Sequence, residues 1–188
     1  MACPMRQAAP LKDLADCSQI IEIEDKVENF ERLTEVLAND LSQLPAAERP
    51  QQWRQNPVDI RLRFGWADEY PGVPAVEGTI ESMVAMVCQR CLAAFDLPLS
   101  VDLKLLLAEA GKAPADCEGY EAWEFEETDV SPAEIVEEAL VMALPLAATH
   151  DEATDCGSAL VDEQAEENKT ARPFADLKSL LAAQTDKN

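Results

Sequence analysis

Residues 58–66 read Val-Asp-Ile-Arg-Leu-Arg-Phe-Gly-Trp, and no other run constrains the fold of this chain as tightly. In an extended backbone Val58, Ile60, Leu62, Phe64 and Trp66 point one way, while Asp59, Arg61 and Arg63 point the other. A strand with one apolar face and one wet face needs partner strands beside it and a layer over the apolar side. Residues 75–88 and 92–107 supply two partners. Between them lies Cys88-Gln-Arg-Cys91, which reads as the turn of a hairpin. Two strands alone are marginal in water, so the hairpin and 58–66 are expected to join one antiparallel sheet of three or more strands. Gln19–Glu24 and the acidic run Glu121–Glu127 read as short additional strands.

Helices supply the covering layer. Val27, Phe30, Leu33, Leu37, Leu41 and Leu44 recur at the period of one helix face, which predicts a helix over 26–44 stopped by Pro45. Ser131-Pro-Ala-Glu134 has the composition of a capping box with proline in the first turn. It opens a second helix over 132–144, with Ile135, Leu140, Val141 and Leu144 as its apolar side and Pro145 at its end. Phe174, Leu177, Leu180 and Leu181 predict a short C-terminal helix. The class is therefore α+β. The predicted organisation is a mobile lead-in over 1–18, one domain over 19–156, an acidic disordered linker over 157–171, and a short helix and tail over 172–188.

Charge narrows the function. The chain has 37 Asp+Glu against 15 Lys+Arg, a net charge of −22. From Glu109 to Glu167 there are eighteen acidic residues and one basic residue, Lys112. Such a surface repels nucleic acid and anionic membranes and suits a basic partner. Glu121, Glu124, Glu126, Glu127 and Asp129 are the candidate partner-binding surface. The exception is a small basic patch with aromatic company: Arg49, Trp53, Arg54, Arg61, Arg63 and Arg90. It fits either local contact with RNA backbone or salt bridges to the chain's own acidic half. Neither a signal-peptide core nor an apolar run long enough to span a bilayer is visible, so the expected location is the cytoplasm.

Six cysteines in a reducing compartment are expected as free thiols or metal ligands rather than disulfides. Cys88 and Cys91 can reach one metal ion from a hairpin turn. His150, the only histidine, and Cys156 could complete a zinc set, with Cys117 as a rival ligand. Free structural thiols and a redox pair remain open beside zinc. With one histidine and six glycines, no nucleophile triad or phosphate-cradling loop can be placed. The chain reads as a non-enzyme with no small-molecule substrate. Adjacent acids such as Glu137-Glu138 read as solvated surface.

Taken in order, four segments resemble one family. They are Val87-Cys-Gln-Arg-Cys-Leu92, the capped helix ending Ala143-Leu-Pro145, His150 followed by Cys156, and Arg172-Pro-Phe-Ala-Asp-Leu177. Together they resemble the YceD family (domain of unknown function 177), over about residues 19–182. The resemblance implies a bacterial or chloroplast accessory factor needed for accumulation of the 23S rRNA of the large ribosomal subunit, with no assigned enzymatic activity. By position, Cys88 and Cys91 match the family's CxxC, and His150 and Cys156 match its later His/Cys element. With the charge, it implies a basic ribosomal protein or a pre-ribosomal particle as partner, with rRNA reached through it. The alternatives are a direct RNA-binding module built on the arginine patch and a small zinc or redox protein centred on the CxxC.

Overall fold

The computed structural model describes residues 5–114, 117–125, 129–152 and 155–156. The elements run β1 (Ala9–Pro10), α1 (Leu11–Asp16), β2 (Ile20–Lys26), α2 (Glu31–Leu41), β3 (Pro57–Trp66), β4 (Pro74–Val87), β5 (Ala94–Glu109), β6 (Glu121–Phe125), β7 (Asp129–Val130) and α3 (Pro132–Ala143). β2 to β6 form one sheet in sequence order, and β1 pairs with β7 in a two-stranded ribbon. The α+β expectation holds. The linker 157–171 and the C-terminal helix lie outside the described residues.

The alternation of β3 becomes packing. Val58, Ile60, Leu62 and Phe64 are buried at 0–1% exposure, and Ile80, Leu103, Leu105 and Leu107 from the next two strands join them. Helix α2 adds Leu33 and Leu37, and α3 adds Ile135, Val136 and Leu140. Burying each such side chain contributes about 1.5–3 kcal/mol, so this layer is the main source of stability. Trp66 departs from the predicted alternation. It is 40% exposed at the strand end, where its indole N–H donates to Asp16 at 3.0 Å.

Three further differences have local causes. Residues 5–18, within the expected lead-in, carry β1 and α1: Leu11, Leu14 and Ala15 are buried, and the Ser131 hydroxyl donates to the Met5 carbonyl at 3.1 Å. Six residues of helix were too short to show a period. The predicted helix 26–44 divides, because Val27–Asn29 makes a 3-10 turn before α2 begins, although Val27, Phe30, Leu41 and Leu44 are all buried as predicted. The sheet is mixed rather than purely antiparallel, since β6 runs parallel to β5. The connection after β5 returns the chain to Leu105, opposite which β6 starts at Glu121, and strand direction carries no composition signal.

Carboxylates close the seams between elements. β4 runs past the end of β3, which leaves its edge from Met83 onward without a strand partner. There Asn56 Nδ2 donates to the Met83 carbonyl at 2.7 Å, and the Val87 N–H donates to Asp40 on α2 at 2.7 Å. The first turn of α2 has no capping side chain of its own. Glu137 of α3 takes that role, accepting from the N–H groups of Arg32 at 2.6 Å and Leu33 at 3.3 Å. Beside it, Glu138 pairs with the Arg32 guanidinium. The start of α3 is closed from within: the predicted capping box forms, with the Ser131 N–H donating to Glu134 at 3.1 Å. The pair Glu137-Glu138 is therefore a clamp between two helices, not idle surface.

Two stability predictions follow from this geometry. A Cβ on Gly78 would lie 1.9 Å from the Arg61 carbonyl oxygen across the β3–β4 pair. Gly78→Ala should therefore destabilise the domain by about 3 kcal/mol in urea unfolding; a change under about 0.5 kcal/mol would refute that register. Glu137→Ala should cost about 1 kcal/mol by leaving the α2 amides uncapped, and Glu137→Gln, which keeps an acceptor, should cost less.

Candidate metal centre

The register of the β4–β5 pair ends at Val87 opposite Ala94 and leaves Cys88 to Ala93 as the turn. Within it, the Cys88 N–H donates to the Ala93 carbonyl at 2.9 Å and the Leu92 N–H to the Cys88 carbonyl at 2.8 Å. Leu92 sits at φ +59°. That left-handed conformation costs an ordinary residue about 1–2 kcal/mol and is here imposed by the closure of the turn. The result folds both cysteines toward the same side.

The segment after α3 is tied to this turn by main-chain contacts. The Gln89 N–H donates to the Ala148 carbonyl at 2.8 Å, and the Arg90 guanidinium to the His150 carbonyl at 2.9 Å. The His150 ring packs on Phe95, with ring centroids 4.5 Å apart. These contacts deliver His150 and Cys156 to the CxxC. Cys88 Sγ lies 3.9 Å from Cys156 Sγ, and His150 Nδ1 lies 3.6 Å from Cys91 Sγ and 3.4 Å from Cys156 Sγ. All four donor atoms fall within 4.8 Å of one another.

These distances test the fit of a metal. Zinc bonds of about 2.3 Å to sulfur and 2.0–2.1 Å to nitrogen give tetrahedral edges of about 3.8 Å between sulfurs and about 3.5 Å between sulfur and nitrogen. The three distances of 3.9, 3.6 and 3.4 Å match these edges, and three thiols with one imidazole would form a closed structural set with no position left for a reacting water. Cys88 and Cys156 are buried, while Cys91 and His150 are half-buried. Burial works to raise the Cys88 thiol, but the N–H groups of Cys91, His150 and Arg90 outweigh it and hold Cys88 down at about 5. Burial, with the neighbouring thiols adding to it, pushes Cys156 up to about 11. A divalent cation would supply the charge that lets all three sulfurs sit together as thiolates.

The other candidates are placed differently. Cys117 donates to the Pro114 carbonyl at 3.3 Å and lies outside the quartet. Cys3 is outside the described residues. The arginine set does not act as one patch. Arg49 donates to the Leu44 and Ser42 carbonyls, both at 2.8 Å, so it closes the end of the α2 segment. Arg90 belongs to the cysteine turn. Arg54 lies over the Trp53 ring at 5.0 Å. Arg61 and Arg63 are exposed on the outward side of β3, with Glu22 and Glu77 among their cross-strand neighbours. Among the acidic candidates, Glu121 and Glu124 are exposed on β6 and Asp129 on β7, whereas Glu126 and Glu127 lie outside the described residues. The structural parts of the centre that the sequence did not reveal are the Arg90 and Gln89 ties, the Phe95 ring and the Leu92 conformation. Only the position of Arg90 inside the CxxC hinted at any of them.

A sequence model of the family described as large ribosomal RNA subunit accumulation protein YceD matches residues 76–181, a span that holds all four donors. No curated protein and no solved structure matches the chain.

The geometry predicts close to one zinc per chain in protein purified without added metal, read by elemental analysis. Cys88→Ser and Cys156→Ser should lose the metal and Cys117→Ser should keep it. A chelator should lower the thermal midpoint of the unsubstituted protein. Less than about one-tenth zinc per chain would identify the cluster as free thiols.

Proposed function

The chain belongs to the YceD family, and on that premise we propose that it is a non-enzymatic factor for accumulation of large-subunit ribosomal RNA that works through a basic ribosomal protein. The family match carries the reading, because it covers more than half of the chain and includes the only cluster with metal-ligand chemistry among the described residues. The mode of action is argued from charge. A chain of net charge −22 gains nothing from the counterion release that drives binding to RNA phosphates. It gains considerably from a cationic protein, whose approach it steers and whose charge it masks until rRNA competes for it.

The arrangement of basic groups supports the protein-mediated route. Arg49 and Arg90 spend donors on the chain's own carbonyls and Arg54 lies over the Trp53 ring, while Arg61 and Arg63 are exposed on the sheet. The closed set of three cysteines and one histidine supports a structural role for a bound metal, which would hold the hairpin turn to the segment that follows α3. Among the described residues no helix is long and apolar enough to cross a membrane. The cytoplasm, where ribosomal proteins meet rRNA, is the proposed place of action.

Depletion of the protein in its host should lower 23S rRNA and large-subunit peaks in sucrose gradients while small-subunit peaks change little. Affinity capture at moderate salt should recover a basic large-subunit ribosomal protein. Nanomolar affinity for naked rRNA at physiological salt, with no ribosomal-protein partner, would overturn the protein-mediated route. Unchanged 23S rRNA on depletion would overturn the function itself.

A further inference from the structure

Helix α3 covers β5 but stops short of β6, and the gap is a groove of 760 Å³. Its floor is apolar, made by Leu103 and Leu105 of β5 and Trp123 of β6. On the α3 side stands Met142, which is 76% exposed although it lies one helical turn from buried Ala139 and lines the same groove. The lip is acidic: Glu121 and Glu124 are both exposed on β6, Glu124 also accepting from the Ala113 N–H at 3.3 Å. The one cation lining the groove, Lys104, lies over the Tyr120 ring at 4.2 Å rather than against these carboxylates.

We propose that this groove is the docking site for a lysine- or arginine-rich amphipathic segment of the ribosomal-protein partner, an inference that rests on the function proposed above. The shape and charge select that occupant. The groove is too small for a folded domain but holds the two or three apolar anchors that a short amphipathic segment presents along one face. A flexible exposed methionine lining the same groove as an aromatic ring makes a surface that adapts to such anchors. The carboxylates at the lip meet the cationic flank of the segment and repel phosphate, so rRNA itself is excluded from the same seat. The sheet face bearing Arg61 and Arg63 mixes these cations with Glu22 and Glu77 and so lacks a uniformly acidic lip.

The test uses the full chain and a fluorescent 18-residue synthetic peptide with leucines at helical spacing and lysines elsewhere, read by anisotropy. Glu121→Lys/Glu124→Lys should weaken binding about tenfold or more, and Met142→Ser should weaken it several-fold by removing an anchor contact without touching the core. Glu22→Lys/Glu24→Lys, at the far edge of the sheet, should change it less than about twofold. Equal losses from the two charge reversals would show a diffuse polyanion and overturn the groove. So would tighter peptide binding after removal of residues 172–188, which would assign the groove to the chain's own tail, or a concentration-dependent dimer abolished by Met142→Ser. If depletion lowers 23S rRNA but groove variants support normal accumulation, the groove is wrong and the function stands. If the peptide binds as stated while depletion leaves rRNA unchanged, the function fails and the groove stands.

Discussion

The pairing of β4 with β5 is the constraint on which the other parts depend. It runs without interruption from Ala75 opposite Leu106 to Val87 opposite Ala94. A register of that length cannot slip by one residue without turning every buried side chain of both strands to the wrong face. The same register decides where the turn falls, and hence that Cys88 and Cys91 face one another across it. β3 adds to one side of this hairpin and β6 to the other, and the helices cover the face that it keeps apolar. The carboxylates of Asp40 and Glu137 then join pieces that pairing alone leaves open: the unpartnered end of β4 and the bare start of α2.

Much of this was legible in the residues because the relevant signals are local. Alternation in 58–66, helical period in 27–44 and the Ser131–Glu134 box each describe a backbone conformation within one segment, and each formed in the main, the strand losing its alternation at Trp66 and the helix dividing at Val27–Asn29. Burial then selected the residues named for the core. What could not be read was any feature that one segment owes to another. The direction of β6 depends on how the chain returns from β5. The order in residues 5–18 comes from contact with the strands and with Ser131. Arg49 and Arg90 carry the composition of an RNA patch, yet they serve carbonyl groups that become neighbours only after folding. The candidate metal centre divides along the same line. Its two cysteines announce themselves by spacing, whereas the approach of His150 and Cys156 depends on α3 packing across the hairpin.

The acidic excess has more than one physical use. Part of it is structural: Glu137, Glu134 and Asp40 each accept from backbone N–H groups, where a charged acceptor makes a stronger bond than a neutral one. A carboxylate at a helix start also meets the positive end of the helix dipole. On β6, Glu124 also accepts from a backbone N–H, that of Ala113 at 3.3 Å, whereas Glu121 stands exposed beside the apolar floor of the groove. The net charge thus separates into acids that hold elements together and acids that remain available to a cationic surface.

The span between Cys91 and His150 is 59 residues, and it contains β5, β6 and α3. Those strands and that helix must be in place before the four donors converge. An ion seated there consequently closes a ring around roughly half of the described domain, and the entropy of that closure is already met by the folded chain. The unfolded chain offers only the CxxC as a local chelate, which binds far more weakly than four converged donors. Metal uptake at this quartet would thereby come last in folding, and its occupancy would record that the hairpin, the edge strand and α3 have assembled.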